Sequence, residues 1–207
     1  MIIDLHFHTI QYSPCSYIDM EEGIRYAKDI GLDGICITDH DNNEAKGYVK
    51  ELEKKYRLLV IAGVEIFTYE GDILCFGIDK LPEKRLHAQE LIDFVNEKGG
   101  ATISAHPFRN NGRGLGNKIK DLNGLSAIEI FNGNTSDENN LKAHKLASRL
   151  NIPCVGASDT HKLQNIGKYA TRFHNKIKGE KDLIEAIKHG KVVPVYYDDY
   201  SKKFNEF

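Results

Sequence analysis

His6 and His8 stand two residues apart, and in an extended strand such positions point to the same side, so both imidazoles can face one ion. Asp159 and His161 repeat that spacing with a carboxylate and an imidazole. Imidazole suits zinc, iron and manganese, and carboxylate extends the range towards harder ions such as manganese. Glu65, His40 and His106 add further donors, and the whole set exceeds what one tetrahedral ion can use. A centre of two or three divalent ions, zinc, manganese or iron, is therefore expected, with Glu65 as the bridging carboxylate. Each pattern is weak alone, because H-x-H, D-x-H and a histidine before proline all occur without metal. Their weight comes from where they fall along the chain.

Short apolar runs alternate with segments of helical period. The strand-like runs are Ile2 to Leu5, Gly34 to Thr38, Leu58 to Val64, Ile73 to Gly77, Ala101 to Ala105, Ala127 to Phe131, Pro153 to Ala157 and Val192 to Val195. Helices are expected near Met20 to Ile30, capped by Asp19 with Glu22 and stopped at Gly31, and after Asp41 with Glu44, burying Ala45, Val49 and Leu52. Further helices are expected from Pro82 to the Gly99-Gly100 stop, near Asp137 to Leu150 behind Ser136, and near Lys181 to His189. Metal-capable or hydrogen-bonding side chains sit at or just beyond the ends of six strands: His6 and His8, Asp39 and His40, Glu65, His106, Asn132, and Asp159 with His161. In a β/α barrel all carboxyl strand ends converge on one face, whereas an open doubly wound sheet spreads them along a line. The spread over six strands favours a barrel in one domain spanning residues 1–207. His87, His144, His174 and His189 fall in helical or polar segments and read as surface histidines.

Composition narrows the setting. At 207 residues, with 41% hydrophobic and 28% charged residues, the chain reads as one globular domain. A formal net charge of −2 gives no global field favouring a nucleic-acid backbone or an anionic membrane. Cys36, Cys75 and Cys154 lie in apolar runs and no C-x-x-C pair exists, which fits buried free thiols and a cytoplasmic protein. No apolar run approaches the ~18 residues of a membrane span.

Taken in order, Asp4-Leu-His6-Phe-His8-Thr9, Ile37-Thr-Asp39-His40-Asp41, Gly63-Val-Glu65, Ala105-His106-Pro107 and Gly156-Ala-Ser-Asp159-Thr-His161 resemble the signatures of the polymerase and histidinol phosphatase (PHP) superfamily of metal-dependent phosphoesterases. The resemblance implies a distorted seven-stranded, TIM-like β/α barrel with a trinuclear site. It implies that His6, His8, Glu65 and Asp159 hold one ion, that Glu65 bridges to a second bound by His106, and that His40 and His161 bind a third. Two positions depart from the commonest pattern: Cys15 stands where relatives offer an Asp or His to the third ion, and Asp72 where many place a histidine on the second. Thiolate and carboxylate both ligate divalent metals, so both are candidate ligands, Cys15 the weaker.

The implied activity is hydrolysis of a small phosphorylated substrate by a metal-activated water. Arg109, three residues past His106, is the candidate for binding phosphate oxygens through its planar fork. Asn132 is a candidate substrate donor, and Asp39 is expected to orient a neighbouring histidine or water. Asn110 to Gly116 is glycine-rich without the Lys-Ser/Thr of a P-loop, and reads as a mobile loop over the pocket. A nuclease of the same superfamily shares this chemistry but lacks support from an added basic or aromatic segment. A C–N hydrolase and a metal-binding scaffold without activity are further alternatives; substrate, metal identity and oligomeric state stay open.

Overall fold

The computed structural model describes residues 1–207. The alternating runs fold as strands β1 (Ile2–Phe7), β2 (Gly34–Ile37), β3 (Leu59–Ala62), β4 (Val64–Phe67), β5 (Asp72–Phe76), β6 (Ala101–Ser104), β7 (Ala127–Asn132), β8 (Cys154–Ala157), β9 (Tyr169–Phe173), β10 (Val192–Asp198) and β11 (Lys203–Glu206). Between them lie helices α1 (Met20–Asp29), α2 (Val49–Tyr56), α3 (Ala88–Glu97), α4 (Asp137–Leu150) and α5 (Glu180–Lys188).

The expected seven-stranded barrel is corrected by the pairing. Strands form a six-stranded sheet, ordered β11-β10-β9-β1-β2-β3, and a five-stranded sheet, ordered β4-β5-β6-β7-β8. Within them β1-β2-β3 and β6-β7-β8 are parallel, while β4-β5-β6 and β1-β9-β10-β11 are antiparallel. The sheets do not close. They touch through single bridges, Phe7 with Thr160 and His40 with Glu65. Gly63 explains the break in the run Leu58 to Val64: a Cβ there would meet the Phe76 ring at 2.6 Å and the Cys75 carbonyl at 2.8 Å. Only glycine lets the chain turn so close to β5, leave β2 and pair anew.

Burial follows this division. Ile3, Leu5, Cys36 and Ile61 from one sheet meet Leu74, Phe76, Ile103 and Val155 from the other, and Leu183, Ile184 and Ile187 of α5 join the same cluster. Outside the first sheet, α1 packs Ile24 and Ala27 with Ile35 and Val60. Outside the second, α3 and α4 pack Leu91, Val95, Ala143 and Leu146 with Ile73 and Ile128.

Local signals mostly hold. The Asp19 carboxylate accepts from the amides of Glu21 and Glu22 at 3.0 and 3.1 Å, and Ser136 Oγ accepts from Asn139 N at 3.4 Å. Two helix starts differ from expectation. Asp41 does not cap: its backbone is left-handed (φ +47°), and a 3-10 turn at Glu44–Gly47 precedes α2. Helix α3 starts at Ala88 instead of Pro82, because Glu70 of the β4–β5 hairpin accepts from Ala88 N and His87 Nδ1, both at 2.7 Å, while Glu90 accepts from His87 N at 2.8 Å. No helix is long and apolar enough to cross a membrane.

Candidate metal centre

The carboxyl ends of β1, β2, β6, β7 and β8 share one rim with β4, which carries Glu65. Antiparallel β5 brings its amino end, Asp72, to the same place. Four overlapping donor groups result: His6 with His8 and Glu65; His6 with His106 and Asp159; Glu65 with Asp72 and His106; and His8 with His40 and His161. Within each, ligand atoms lie inside 4.8 Å of one another.

The tightest set is built by β1, β4 and the turn after β8. His6 Nε2 is 3.1 Å from His8 Nε2, 3.4 Å from Glu65 Oε2 and 3.6 Å from Asp159 Oδ1. His8 Nε2 is 3.3 Å from each of the same two oxygens. Donors at ~2.1 Å from a common ion are separated by roughly 3.0 to 3.4 Å in octahedral or tetrahedral arrangements, so these edges suit a shared cation. Glu65 Oε2 and Asp159 Oδ1 are buried and make no hydrogen bond, as is His106 Nδ1. Both oxygens meet only imidazole nitrogens, at 2.9 to 3.6 Å, and a cation could take the place of the protons those rings would otherwise carry, so the donor set fits a metal. Charge agrees: buried Glu65, Asp72, Glu129 and Asp159 share the site with two guanidiniums, Arg109 and Arg113.

Without a metal the imidazoles carry the compensating charge. Burial pushes the His6 ring down, but Asp159, Glu65 and Glu129 outweigh it and hold it well above the ordinary value. Burial raises Glu65 and Asp159, yet the surrounding imidazoles, with Arg109 beside Asp159, bring both well below the carboxylate range. His40, against burial, is lifted to about 10 by Cys15 and Glu65, whose Oε2 is 2.9 Å from His40 Nδ1. Asp72 rises to about 6 through burial and the Glu65 charge, against the pull of Arg113.

The remaining expected residues divide. His106 Nε2 meets Glu65 Oε1 at 2.8 Å, its backbone strained at φ +29°. His161 sits at the rim, its ring 4.6 Å from that of His8. Cys15 is exposed beside His40 and His161; burial raises its thiol, and those two rings draw it down to about 6. Arg109 reaches the centre, where Nη2 donates to Asp159 Oδ2 and to Asn132 Oδ1 at 2.7 Å. Asn132, a candidate substrate donor or loop cap, has its polar atoms engaged within the protein, Oδ1 also accepting from Asn134 N at 2.9 Å. Its amide donates to Glu129 Oε2 at 2.8 Å and Asp159 Oδ2 at 3.0 Å, and its carbonyl accepts from Arg109. Asp39 touches no imidazole; its two oxygens accept from Thr9 N and Thr9 Oγ1, both at 2.7 Å, which fixes the turn after β1. Asp4 likewise accepts from the amides of Ser158 and Gly167, both at 3.0 Å, and burial lifts it to about 6.

Three residues of the centre lie outside the strand-end reading. Glu129 points inward from the middle of β7, accepting from His6 Nδ1 at 3.1 Å and His106 N at 2.7 Å. The signal was present: a lone acid in the apolar run Ala127 to Phe131, at an inward position. Arg113 forks onto Asp72, with Nε to Oδ2 at 2.6 Å and Nη2 to Oδ1 at 2.9 Å. Ser13 Oγ accepts from His40 N at 3.0 Å and lies 3.4 Å from His8 Nδ1. The loop carrying Arg113 is pinned, not free: Asp72 N donates to Arg113 O at 2.7 Å and Gly116 N to Pro107 O at 2.8 Å.

Residues 4–114 match the PHP domain family, and residues 137–192 match a PHP-associated region. An uncharacterized protein of Methanocaldococcus jannaschii is 33% identical over 162 residues, covering 72% of this chain and 94% of its own length. Among solved structures, PsfC from Pseudomonas syringae PB-5123 superposes with a TM-score of 0.72 at 18% identity, covering 97% of this chain and 93% of its own. An amidohydrolase from Chromobacterium violaceum, holding sulfate and no metal, gives 0.68 at 15%, covering 96% and 99%. A proposed metal-dependent phosphoesterase from Bifidobacterium adolescentis gives 0.63 at 17%, covering 77% and 87%. At these identities the three establish a shared fold.

Proposed function

The chain belongs to the PHP domain family, and from that premise we propose that it is a metal-dependent hydrolase of a small phosphorylated substrate. The observation that carries the reading is the convergence of His6, His8, Glu65 and Asp159, whose facing nitrogens and buried oxygens lie 3.1 to 3.6 Å apart. In this reading those four hold the first ion. Glu65 is shared with a second at His106 and Asp72, and His40 with His161 holds a third, with Cys15 at its edge. Divalent ions so held supply Lewis acidity towards phosphoryl oxygens and lower the pKa of water from about 15.7 to about 7.

The protein's own groups do the rest. Glu129 Oε1 accepts a hydrogen bond from His6 Nδ1–H, which would leave Nε2 a lone pair directed at the cluster. Asn132 spaces Glu129 from Asp159, donating to both. Arg109 spends Nε on Thr135 Oγ1 and Nη2 on Asn132 and Asp159, while Nη1 makes no hydrogen bond within the protein. That free edge is suited to a phosphoryl oxygen.

The test is elemental analysis of protein purified without chelator, beside a phosphomonoester panel and a single-stranded oligonucleotide, each run with manganese, zinc and iron. Metal at two or more equivalents and turnover of a phosphomonoester are expected, both lost in His6→Ala and Asp159→Ala with helix content retained. Full activity in either variant, or in chelated protein, contradicts the assignment. Preferential cleavage of the oligonucleotide transfers it to the nuclease reading.

A further inference from the structure

The three carboxylates facing the cluster are not equivalent. Glu65 Oε2 and Asp159 Oδ1 meet only imidazoles, which can give up their protons, whereas both oxygens of Asp72 are taken by the permanently charged Arg113. The oxygen of Asp72 nearest His106, Oδ2 at 3.6 Å from Nε2, is the one that receives Arg113 Nε at 2.6 Å. The guanidinium therefore stoppers the edge by which Asp72 would join Glu65 and His106 around an ion. It also directs Nη2 at His40 Nδ1, 3.3 Å away.

This is a built position. The guanidinium carbon lies 4.5 Å from the centre of the Phe67 ring, a cation–π contact. The backbone behind it is docked on β5 through Asp72 N to Arg113 O. Gly71 is packed so closely there that a Cβ would meet Leu115 N at 2.6 Å and Arg113 O at 2.9 Å. A side-on guanidinium–carboxylate pair is strong and geometrically specific, and with Asp72 buried and Arg113 half-buried its positive charge still repels a cation placed beside it.

Resting on the metal reading above, we propose that Arg113 is a resident counter-cation for Asp72, which makes the Glu65–Asp72–His106 position the weaker of the metal sites and requires Arg113 to withdraw before that position fills. The His6–His8–Glu65–Asp159 position, where one oxygen of each carboxylate meets only imidazoles, fills first. Arg113 acts here as a positioning residue on metal loading, not as a group that touches the reacting atoms.

The experiment titrates Mn²⁺ into the metal-free full chain, read by calorimetry and by electron paramagnetic resonance. The wild type is expected to show a tight class and a class weaker by about tenfold or more. Its first equivalent gives an isolated manganese signal, and coupled pairs arise only later. In Arg113→Met the weak class tightens by about tenfold or more while the tight class stays within about threefold, and Asp72→Ala abolishes the class that Arg113→Met tightens. Coupled pairs from the first equivalent in the wild type, or an unchanged weak class in Arg113→Met, overturns the proposal. If Arg113→Met fails to fold, the order of signals in the wild type still decides. No manganese bound by the wild type removes the metal reading itself, an outcome distinct from a wild type that loads all its ions alike.

Discussion

Glu129→Gln separates metal binding from folding. The carboxylate receives three donors: His6 Nδ1 on Oε1, and His106 N and Asn132 Nδ2 on Oε2. A glutamine keeps the shape but has one acceptor. Turned with its carbonyl towards His106 N and Asn132 it satisfies two donors and sets its NH2 against His6 Nδ1; turned the other way it opposes two donors and satisfies one. The first orientation wins, and His6 must then carry its proton on Nε2, the atom facing Glu65 and Asp159. That atom no longer offers a lone pair to a metal. Loss of such a supporting carboxylate lowers metal affinity about 10- to 100-fold, or about 1.4 to 2.7 kcal/mol. Glu129→Ala instead orphans all three buried donors, at about 1 to 3 kcal/mol each before relaxation, or about 3 to 5 kcal/mol in total. Calorimetric titration with Mn²⁺ and thermal melts of the chelated protein measure the two effects. Glu129→Gln should lose at least about tenfold in affinity while its melting temperature stays within about 4 °C of wild type. A glutamine variant that binds metal within about threefold of wild type refutes the tautomer argument.

The His40 contribution to metal-free stability should fall as pH rises, and Cys15→Ser removes the thiol that, drawn down to about 6, titrates in the opposite sense. His40, lifted from 6.5 to about 10, contributes stability present in full below 6.5 and lost as pH climbs through about 10. Ion loading, which needs the neutral ring, strengthens over the same window. Melts of chelated Cys15→Ser from pH 6 to 10, beside manganese titrations, check both; a melting temperature that rises across that range in Cys15→Ser but not in Cys15→Ser with His40→Asn goes against the assignment. Gly114→Ala should destabilise by about 1 to 3 kcal/mol, because its Cβ would meet the Pro107 carbonyl at 2.2 Å and His106 O at 2.8 Å, both backbone. Denaturant unfolding measures it, and a neutral result means that the loop docks differently on His106.

Strand ends were legible because burial dictates apolar runs and chemistry dictates the polar residues at their exits, so His6, His8, Glu65, His106 and Asp159 were found by position alone. The features that escaped depend on contacts distant in sequence. The α3 start is fixed by Glu70 from a hairpin 18 residues before Ala88, which no local pattern records. The interruption at Gly63 divides an unbroken apolar run, since the cause is the Phe76 ring on β5. Strands β9 and β11 went unseen: Tyr169 to Phe173 alternates, but charged Lys168 and Arg172 mask its pattern, and Lys203 to Glu206 is an edge with almost no apolar content. Sequence left Asn132 between a substrate donor and a loop cap, because a strand-end amide looks the same whether it faces a ligand, a loop or two carboxylates.

His6 and His8 belong to one sheet, and Glu65 and Asp159 to the margins of the other, at the two bridges where the sheets meet. In the proposed function, a cation shared by these four would act as a rivet driven through both plates of the molecule. Neither plate owns the centre. A cation bound there would therefore add to the seating that the shared apolar core already provides, and metal-loaded protein is expected to melt above the chelated form.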